Sequence, residues 1–228
     1  VEELAARGVR IVEDPADSPE GAVLVIRSHG VSKEVYGRLE QQGAEIIDAT
    51  CPFVKKIHNI VSDAYLRGAH IVIIGDKTHP EVVGINGWCN DSAIVIETEK
   101  EAQNLSFSDE KEVCIVAQTT FERELWKKIT KISKKTCQSA MVFDTICSAT
   151  NERQKYAANL AKESDVFIVV GGKNSSNTKK LFDISASLCP STFLVEEASE
   201  LPDDILTLGN SFGITAGAST PAWIIKEV

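Results

Sequence analysis

Short apolar runs alternate with longer amphipathic segments along the chain. The β-branched apolar runs predict strands near 22–28, 44–48, 71–75, 113–118, 140–144, 166–171 and 212–217. Apolar residues at helical spacing predict helices at 32–42, 52–67, 121–136, 149–164 and 177–188. Because the strands are apolar along their whole length and are followed by helices, the pattern predicts an α/β fold whose parallel sheets carry helices on both faces.

An internal repeat organises these elements. The pattern D-x-x-C occurs twice, in IIDATCPFVKK and in VFDTICSATNE, and it ends at Cys51 and at Cys147. When these two cysteines are aligned, GDKTHPE at 75–81 falls on GGKNSSN at 171–177 without a gap. In both copies the polar residues directly follow a predicted strand, so each copy supplies a polar turn at the same place.

A second recurring turn follows farther along each copy. The segments VIRSHG at 25–30, VAQTT at 116–120 and TAGAST at 215–220 all leave a strand through small or polar residues. Together the two turns predict three pseudo-symmetric lobes with small parallel sheets around a central site. The boundaries are an incomplete first lobe at 1–51, a second lobe at 52–147 and a third lobe at 148–228.

Thiol, imidazole, carboxyl and hydroxyl side chains follow the carboxyl ends of these strands. In open α/β sheets this is the edge at which ligands bind, so we expect these side chains to converge if the lobes pack around a common axis. The candidate site residues are Cys51, Cys147, His29, His79, Glu81, Thr119, Ser175, Ser176, Asn177 and Ser219.

The composition excludes several classes of function. The chain has 228 residues with 43% hydrophobic content, which is ample for a buried core. A net charge of -9 and a pI near 5.0 disfavour a broad surface for nucleic acid. The longest apolar runs, such as VFIVVGG at 166–172, are too short to span a bilayer, and no secretory signal is visible. We therefore expect a cytoplasmic protein that binds neither nucleic acid nor membrane.

The cysteines favour metal chemistry over disulfide bonds. They lie far apart, and none forms a C-x-x-C pair, which indicates a reducing compartment. A single cysteine is commonly a buried structural thiol, and we assign that role to the four without a repeat partner. Single thiolates from separate lobes suit a soft metal or an iron–sulfur cluster better than structural zinc, which usually uses local cysteine pairs.

The remaining polar residues fit an anion such as a diphosphate. His29 and His79 could be ordinary turn residues, but in the repeat they stand where other copies carry hydroxyl or amide groups. The SSN segment at 175–177 can both cap the next helix and bind phosphate. Its spacing differs from that of a P-loop. Glu81 could be a solvated acid in the first turn of a helix or a proton donor beside a cluster, and the sequence leaves both roles open.

The motifs, in order, resemble those of the LytB-type 4-hydroxy-3-methylbut-2-enyl diphosphate reductase family. They are RSHG, DATCPFV, GDKTHPEVVG, QTT, DTIC, GGKNSSNT and TAGAST, and the resemblance runs from about residue 1 to 228. It implies a three-lobed α/β protein with an oxygen-sensitive [4Fe-4S] cluster. It also implies reductive dehydroxylation of the allylic alcohol diphosphate to isopentenyl and dimethylallyl diphosphate, which ends the non-mevalonate isoprenoid pathway.

The resemblance assigns roles to the candidate residues. Cys51 and Cys147 correspond to the second and third cluster ligands of the family. Glu81 would supply protons, Thr119 would position the substrate hydroxyl, and His79 would contribute to the site and its protonation. The resemblance implies that the diphosphate is bound by His29, Ser175, Asn177 and Ser219, with Ser176 as a further contact.

Parts of the family pattern lie outside these residues. The first cysteine of the family and an early histidine of its diphosphate pocket have no counterpart here, and we expect both to precede Val1. With two of three thiolates, these residues alone could be inactive. The chain shows no flavin or nicotinamide fingerprint, so we expect an external electron donor of the ferredoxin or flavodoxin type. Competing readings are a diphosphate-binding α/β module without redox activity and a scaffold stabilised by zinc.

Overall fold

Three small sheets with parallel strands organise the described part of this computed structural model, which comprises residues 2–12, 14, 17–19, 21–107, 111–137 and 139–228. The first sheet pairs β1 with β2, the second has the order β4-β3-β5-β6, and the third has the order β8-β7-β9. The strands are β1 Val23–Ile26, β2 Glu45–Asp48, β3 His70–Ile74, β4 Ile94–Ile96, β5 Val113–Ala117, β6 Ala140–Val142, β7 Val166–Val170, β8 Thr192–Val195 and β9 Phe212–Ala216.

Helices follow the strands, as the sequence predicts. They are α1 Glu2–Ala6, α2 Lys33–Gln41, α3 Pro52–Leu66, α4 Pro80–Gly87, α5 Glu99–Gln103, α6 Arg123–Thr136, α7 Ser148–Lys162, α8 Ser176–Ala186 and α9 Ala222–Glu227, with short 3-10 helices at Ala198–Glu200 and Ile205–Thr207. The predicted α/β class with small parallel sheets is confirmed. None of the helices in the described ranges is both long enough and apolar enough to cross a bilayer.

The chain divides into two compact units. The first contains Val1–Glu97, Asn104–Val116 and Thr136–Phe143. The second contains Thr98–Gln103, Ala117–Lys135 and Asp144–Val228. The lobe boundaries at residues 51 and 147 stay a prediction.

The central strands explain why the sheets form. In the second unit, Phe167 and Val169 of β7 pack with Ala157 and Leu181 of the flanking helices. The alternate residues of β7 pack on its other face in a second cluster that contains Val195 and Ile205. Burial on both faces accounts for the unbroken apolar run of this strand. In the first unit, β3 and β5 are buried in the same way.

The first sheet departs from the expected burial on both faces. Val23 and Val25 of β1 are 54% and 60% exposed, and Ile47 of β2 is 50% exposed. The alternate positions Leu24 and Ile26 are more buried. Within the described residues, helices therefore cover only one face of this sheet.

Candidate functional site

Cys51 occupies the N-cap position of α3, immediately before Pro52. Its backbone N–H donates to the carbonyl of Ser28 at 2.9 Å, which ties the start of this helix to the turn after β1. Its side chain makes no capping hydrogen bond, and the residue is half-buried. The thiol is therefore held at a helix N-terminus without being used to build the helix.

Cys147 has the same local structure in the second unit. It is the N-cap residue of α7, and its side chain likewise makes no capping hydrogen bond. Its backbone N–H donates to the carbonyl of Thr119 at 3.0 Å. The two cysteines thus repeat a helix cap and a hydrogen bond to the turn after a strand, which confirms the register that aligned them.

The remaining cysteines are built into the cores. Cys89 and Cys114 are fully buried, and burial raises the pKa of both thiols, to about 11 for Cys114. Cys89 also donates to the carbonyl of Asn86 at 3.1 Å. Cys137 and Cys189 are buried as well. Burial makes all four thiols poorly reactive, which supports the structural role predicted for them.

Soft sulfur donors at Cys51 and Cys147 fit an iron–sulfur cluster, whose irons take cysteine thiolates. Both thiols are half-buried and free, and the capping geometry leaves both sulfurs available. Among the described residues, no three His, Cys, Asp or Glu side chains form a group that could hold a metal ion. Within the described ranges, neither cysteine therefore has two further donors of these types grouped around it.

The aspartates of the two D-x-x-C patterns shape the turns before the cysteines. Asp48 accepts a hydrogen bond from the Thr50 backbone N–H at 2.9 Å and pairs with Lys55 at 2.7 Å. Burial is the largest single influence and would raise its pKa. The hydrogen bonds from Lys55 and Thr50 and the charge of Lys55 together outweigh burial and lower the pKa of Asp48 to about 2. Asp48 is therefore a paired carboxylate.

Asp144 is paired in a different way. The Arg123 guanidinium, at the start of α6, donates to Asp144 at 2.5 Å and to the side-chain oxygen of Asn151 in α7 at 3.3 Å. Asp144 precedes Cys147 and Asn151 follows it, so Arg123 braces both sides of this cysteine turn. The sequence analysis missed Arg123. The predicted helix began at residue 121, whereas the observed α6 begins at Arg123.

The second recurring turn has the same hydrogen bond in all three copies. Backbone N–H groups donate from Gly30 to Arg27, from Phe121 to Gln118 and from Thr220 to Gly217, at 2.9 to 3.1 Å. This register places His29, Thr120 and Ser219 at equivalent positions, one residue before each donor. Thr120 was not among the predicted site residues.

Thr119, which was predicted, lies one residue earlier in this turn and is buried. Its carbonyl oxygen accepts the hydrogen bond from the Cys147 backbone N–H, and the residue is 7% exposed. Thr119 therefore links the second recurring turn to the cysteine turn within the second unit.

His79 and Glu81 form the first polar turn of the first unit. His79 is the N-cap residue of α4, and its Nδ1 accepts the Glu81 backbone N–H at 3.1 Å. Burial lowers the pKa of His79, although the charge of Asp76 acts in the opposite direction. A neutral imidazole whose Nδ1 accepts must carry its proton on Nε2, so His79 presents an N–H donor beyond the cap.

Glu81 is only 4% exposed, in contrast to the solvated first-turn acid that the sequence left open. The turn that carries His29 packs against the same helix, because a Cβ placed on Gly84 would lie 3.6 Å from the His29 carbonyl oxygen. The Ser28 carbonyl of that turn also holds Cys51. The first unit thus connects Cys51, His29 and the helix that carries Glu81.

Ser175, Ser176 and Asn177 begin α8 in the second unit. Ser175 is the N-cap residue, and its hydroxyl accepts the Thr178 backbone N–H at 3.4 Å. Asn177 is 7% exposed, yet neither its side-chain oxygen nor its side-chain nitrogen has a hydrogen-bond partner within the described residues. A buried amide without partners costs free energy, which a bound polar ligand would recover.

Ser176 belongs to a hydrogen-bond network with the second recurring turn. Gln118 is almost fully buried, and its side-chain nitrogen donates to Thr120 at 3.1 Å and to Ser176 at 3.4 Å. The hydroxyls of Thr120 and Ser176 are 3.2 Å apart. Gln118 and Thr120 therefore fix Ser176 beside the turn that contains Thr119. The sequence analysis missed both residues.

Two glycines allow the turns of the third sheet to pack closely. A Cβ on Gly171, whose φ is +145°, would lie 2.6 Å from the hydroxyl of Thr220. A Cβ on Gly217 would lie 2.4 Å from the hydroxyl of Thr178. A larger residue at either position would clash with these hydroxyls. Because glycine has no side chain, the turn that carries the exposed Ser219 can lie next to the start of α8.

The charge of Lys173 is used in an ion pair with an acidic residue of the same unit. Its ammonium pairs with Glu200 at 2.7 Å, and its backbone N–H donates to Glu196 at 2.7 Å. These contacts fasten the loop before Ser175. The groups of this turn that remain able to donate to an anion are the hydroxyls, the Asn177 side-chain amide and the free N–H groups at the start of α8.

His58, which the sequence analysis did not single out, packs beneath the His29 turn. A Cβ on Gly30, whose φ is +72°, would lie 2.7 Å from the His58 ring. The imidazole stacks on Trp88 with ring centroids 5.0 Å apart, and its Nε2 is buried without a hydrogen-bond partner in the described residues. Burial, the largest influence, lowers the pKa of His58 to about 4.

This burial predicts an acid sensitivity. The folded protein holds His58 neutral with a pKa of about 4, whereas the unfolded pKa is 6.5, so stability is full above pH 6.5 and falls as the pH drops towards 4. We expect a loss of up to about 3 kcal/mol from this residue. Urea unfolding measured at several pH values would test it against His58→Phe, which keeps a stacked ring but cannot titrate. An identical pH dependence in both proteins would contradict the prediction.

Comparison with known proteins identifies the family. The sequence matches the LytB protein family over residues 1–228. The 4-hydroxy-3-methylbut-2-enyl diphosphate reductase of Caldanaerobacter subterraneus is 47% identical over 230 residues, covering 100% of this chain and 79% of that protein. The enzyme of the same name from Alkaliphilus oremlandii is 48% identical over 229 residues, covering 100% of this chain and 81% of that protein.

Solved structures agree with the sequence comparison. The E-1-hydroxy-2-methyl-but-2-enyl-4-diphosphate reductase of Plasmodium falciparum matches with a TM-score of 0.93 at 30% identity, covering 99% of this chain and 71% of that one. A second structure, of (E)-4-hydroxy-3-methyl-but-2-enyl diphosphate reductase, matches with a TM-score of 0.68 at 40% identity, covering 100% of this chain and 81% of that one. The chain therefore belongs to the LytB protein family.

Proposed function

We propose that this protein is a 4-hydroxy-3-methylbut-2-enyl diphosphate reductase. The reaction replaces the allylic hydroxyl with hydrogen, consumes two electrons and two protons, and releases water together with isopentenyl or dimethylallyl diphosphate. Relatives that cover the whole chain carry this enzyme name, and one solved relative is described as the terminal enzyme of the non-mevalonate pathway. The reaction would thus be the last step of that pathway.

The observation that carries the proposal is the start of α8. There the buried Asn177 amide lacks a partner within the described residues, and Ser175 and Ser176 present hydroxyls beside it. The free backbone N–H groups of a helix N-terminus favour anions. A diphosphate would accept hydrogen bonds from all of these groups. His29 and Ser219 are the further diphosphate ligands that we assign.

Cys51 and Cys147 would hold a [4Fe-4S] cluster. When bound, the cluster supplies a Lewis-acidic iron for the substrate oxygen and a path for the two electrons. The two cysteines keep their sulfurs free of capping bonds, and the turns behind them are braced by paired aspartates. That bracing would fix the positions of the ligand sulfurs.

Glu81 would deliver protons to the reacting atoms. Its burial excludes bulk water from the carboxyl group, and its position in the first turn of α4 places it next to His79. The neutral His79 would donate a hydrogen bond from Nε2 and help to orient the substrate. Thr119, held by the Cys147 turn, would position the substrate hydroxyl.

The electrons would come from an external protein of the ferredoxin or flavodoxin type, because the sequence has no flavin or nicotinamide fingerprint. We infer a cytoplasmic location, which the free thiols of all six cysteines support. Nucleic acid and membrane remain unexpected as partners, given the net charge of -9.

Product formation under strictly anaerobic conditions tests the function. The natural protein, reconstituted with iron and sulfide, should convert 4-hydroxy-3-methylbut-2-enyl diphosphate to both isoprenoid diphosphates with reduced methyl viologen as electron donor. Diphosphate binding without bound iron or turnover would overturn the proposal and favour a diphosphate-binding module. Stoichiometric colourless zinc without turnover would favour the zinc-stabilised scaffold.

Replacement of Asn177 with alanine tests the diphosphate site. We expect the KM for substrate to rise about 10-fold or more, because the variant loses the amide NH2 group that would donate to the diphosphate. Asn174→Ala, in the exposed part of the same loop, is the matched control and should leave the KM unchanged. Isothermal titration with inorganic diphosphate separates binding from chemistry. Equal diphosphate affinity in wild type and Asn177→Ala would remove Asn177 from the site.

A further inference from the structure

Helix α6 carries a concentration of positive charge in an acidic protein. The chain has a net charge of -9, yet this helix bears Arg123 and five lysines against the single acid Glu124. The lysines form what we call the basic strip. It consists of Lys127, Lys128, Lys131, Lys134 and Lys135. Ile-Thr and Ile-Ser pairs separate the lysines in the sequence KKITKISKK, and the helix brings the lysines together on its exposed surface.

The orientation of α6 exposes this charge. Trp126, Ile129 and Ser133 are buried and define the inward face of the helix. All five lysines of the basic strip are exposed. The helix therefore separates an apolar face that packs on the unit from a cationic face in solvent.

Intramolecular ion pairs neutralise only part of the strip. Lys127 pairs with Glu124 at 2.7 Å, and Lys128 approaches Glu99 at 3.8 Å. Within the described ranges, Lys131, Lys134 and Lys135 have no such carboxylate contact. The helix dipole favours cations in the last turn and accounts for Lys134 and Lys135, but it does not account for Lys131 in the middle. The excess charge is therefore available to a partner.

The strip begins beside the cysteine turn of the second unit. Arg123, the first residue of α6, contacts Asp144 and Asn151 on either side of Cys147. At a rise of about 1.5 Å per residue, Lys127 lies about 6 Å and Lys135 about 18 Å along the axis from Arg123. Lys180 extends the charge near this end of the helix, with its ammonium 5.7 Å from the centre of the Phe121 ring. A partner on the strip would therefore contact the helix whose first residue braces the Cys147 turn.

We propose that the basic strip is the docking surface for the electron donor, a small acidic protein that carries one electron on an iron–sulfur or flavin group. The inference rests on the proposed function, which consumes two electrons and two protons for each C–O bond broken and each water released. Two reduced carriers would each be oxidised by one electron per turnover. Complementary charge accelerates such encounters and makes them sensitive to salt.

The observations favour an acidic protein over nucleic acid. The five lysines span only about 12 Å of one helix. The remaining charge of the chain is strongly negative, so an extended phosphate backbone would be repelled beyond the strip. A compact carrier with a localised acidic face matches a short strip better.

Charge neutralisation of the unpaired lysines tests the proposal. The test protein carries Lys131→Gln, Lys134→Gln and Lys135→Gln, because glutamine has a helix propensity close to that of lysine. The matched control carries Lys33→Gln, Lys162→Gln and Lys226→Gln, which remove three exposed lysines elsewhere. Each holoenzyme is assayed with a reduced acidic ferredoxin and with reduced methyl viologen, at about 50 and about 300 mM NaCl. Biolayer interferometry measures ferredoxin binding directly.

At low salt the strip variant should show a KM for ferredoxin about 10-fold higher and a weaker salt dependence, while its rate with methyl viologen stays within about 2-fold of wild type. The control should match wild type in every assay. Unchanged ferredoxin binding and an unchanged KM for ferredoxin in the strip variant would overturn the proposal. Biolayer interferometry with duplex DNA gives a second test, and loss of DNA binding in the strip variant with ferredoxin binding unchanged would also overturn it. Absence of turnover with both donors in the wild type would instead refute the proposed function itself.

Discussion

Replacement of Glu81 with glutamine should lower kcat by about two to four orders of magnitude, while the KM for substrate changes only a few-fold. Glutamine keeps the shape and most hydrogen bonds of the side chain but cannot release a proton, and general acid catalysis contributes about 10²- to 10⁴-fold. Glu81 is 4% exposed, so water cannot easily substitute for its carboxyl group. Single-turnover kinetics with reduced enzyme, in H₂O and in D₂O, would measure the effect on the proton-dependent step.

Glu34 provides the matched control. It is the second residue of α2, as Glu81 is the second residue of α4, but it is exposed. Both glutamates therefore interact with a helix N-terminus in the same way. Glu34→Gln should leave kcat unchanged. An equal loss of kcat in both variants would show that the effect comes from the helix N-terminus, and an active Glu81→Gln would remove Glu81 from proton delivery.

The sequence predicted the central elements well because their burial is uniform. β7 is the apolar run VFIVV, buried along its length, and its prediction at 166–171 is confirmed. The strands predicted from the sequence did not include β4 and β8, which lie at the edges of their sheets. Both strands have only three or four residues, so their apolar pattern is short, although the equally short edge strand β6 was predicted. α4 was implied by the repeat, but PEVVGING has no polar face and contains two glycines.

The repeat predicted the cysteine turns because their spacing has no gaps. Cys51 and Cys147 are both followed by a helix of 15 residues, so the motifs after them align directly. The second recurring turn could not be aligned in this way, since α2 has nine residues and α6 has 14. The sequence therefore could not show which threonine of QTT is equivalent to His29 and Ser219. The backbone hydrogen bonds show that it is Thr120. The unpartnered amide of Asn177 and the burial of Glu81 are properties of packing, and no residue pattern contains them.

Replacement of either Cys51 or Cys147 with serine should lower iron and acid-labile sulfide per chain by about 10-fold or more after anaerobic reconstitution. The serine hydroxyl is a harder and much less acidic donor than a thiol, so it binds cluster iron weakly. Both side chains lack capping bonds, and their removal should leave α3 and α7 intact by circular dichroism. The visible absorbance of the cluster reports the loss without any assay of activity.

Cys114→Ala separates ligand loss from a general effect of cysteine removal. This thiol is fully buried, and its pKa of about 11 keeps it protonated. Its removal should cost about 1 kcal/mol of stability through a small cavity, with the iron content unchanged. A protein in which Cys51→Ser and Cys147→Ser both retain full iron would place the cluster elsewhere and would leave the two helix caps as structural thiols. Loss of iron in only one variant would show that only one of the two equivalent turns binds metal. The two cysteines would then share a local structure but not a function.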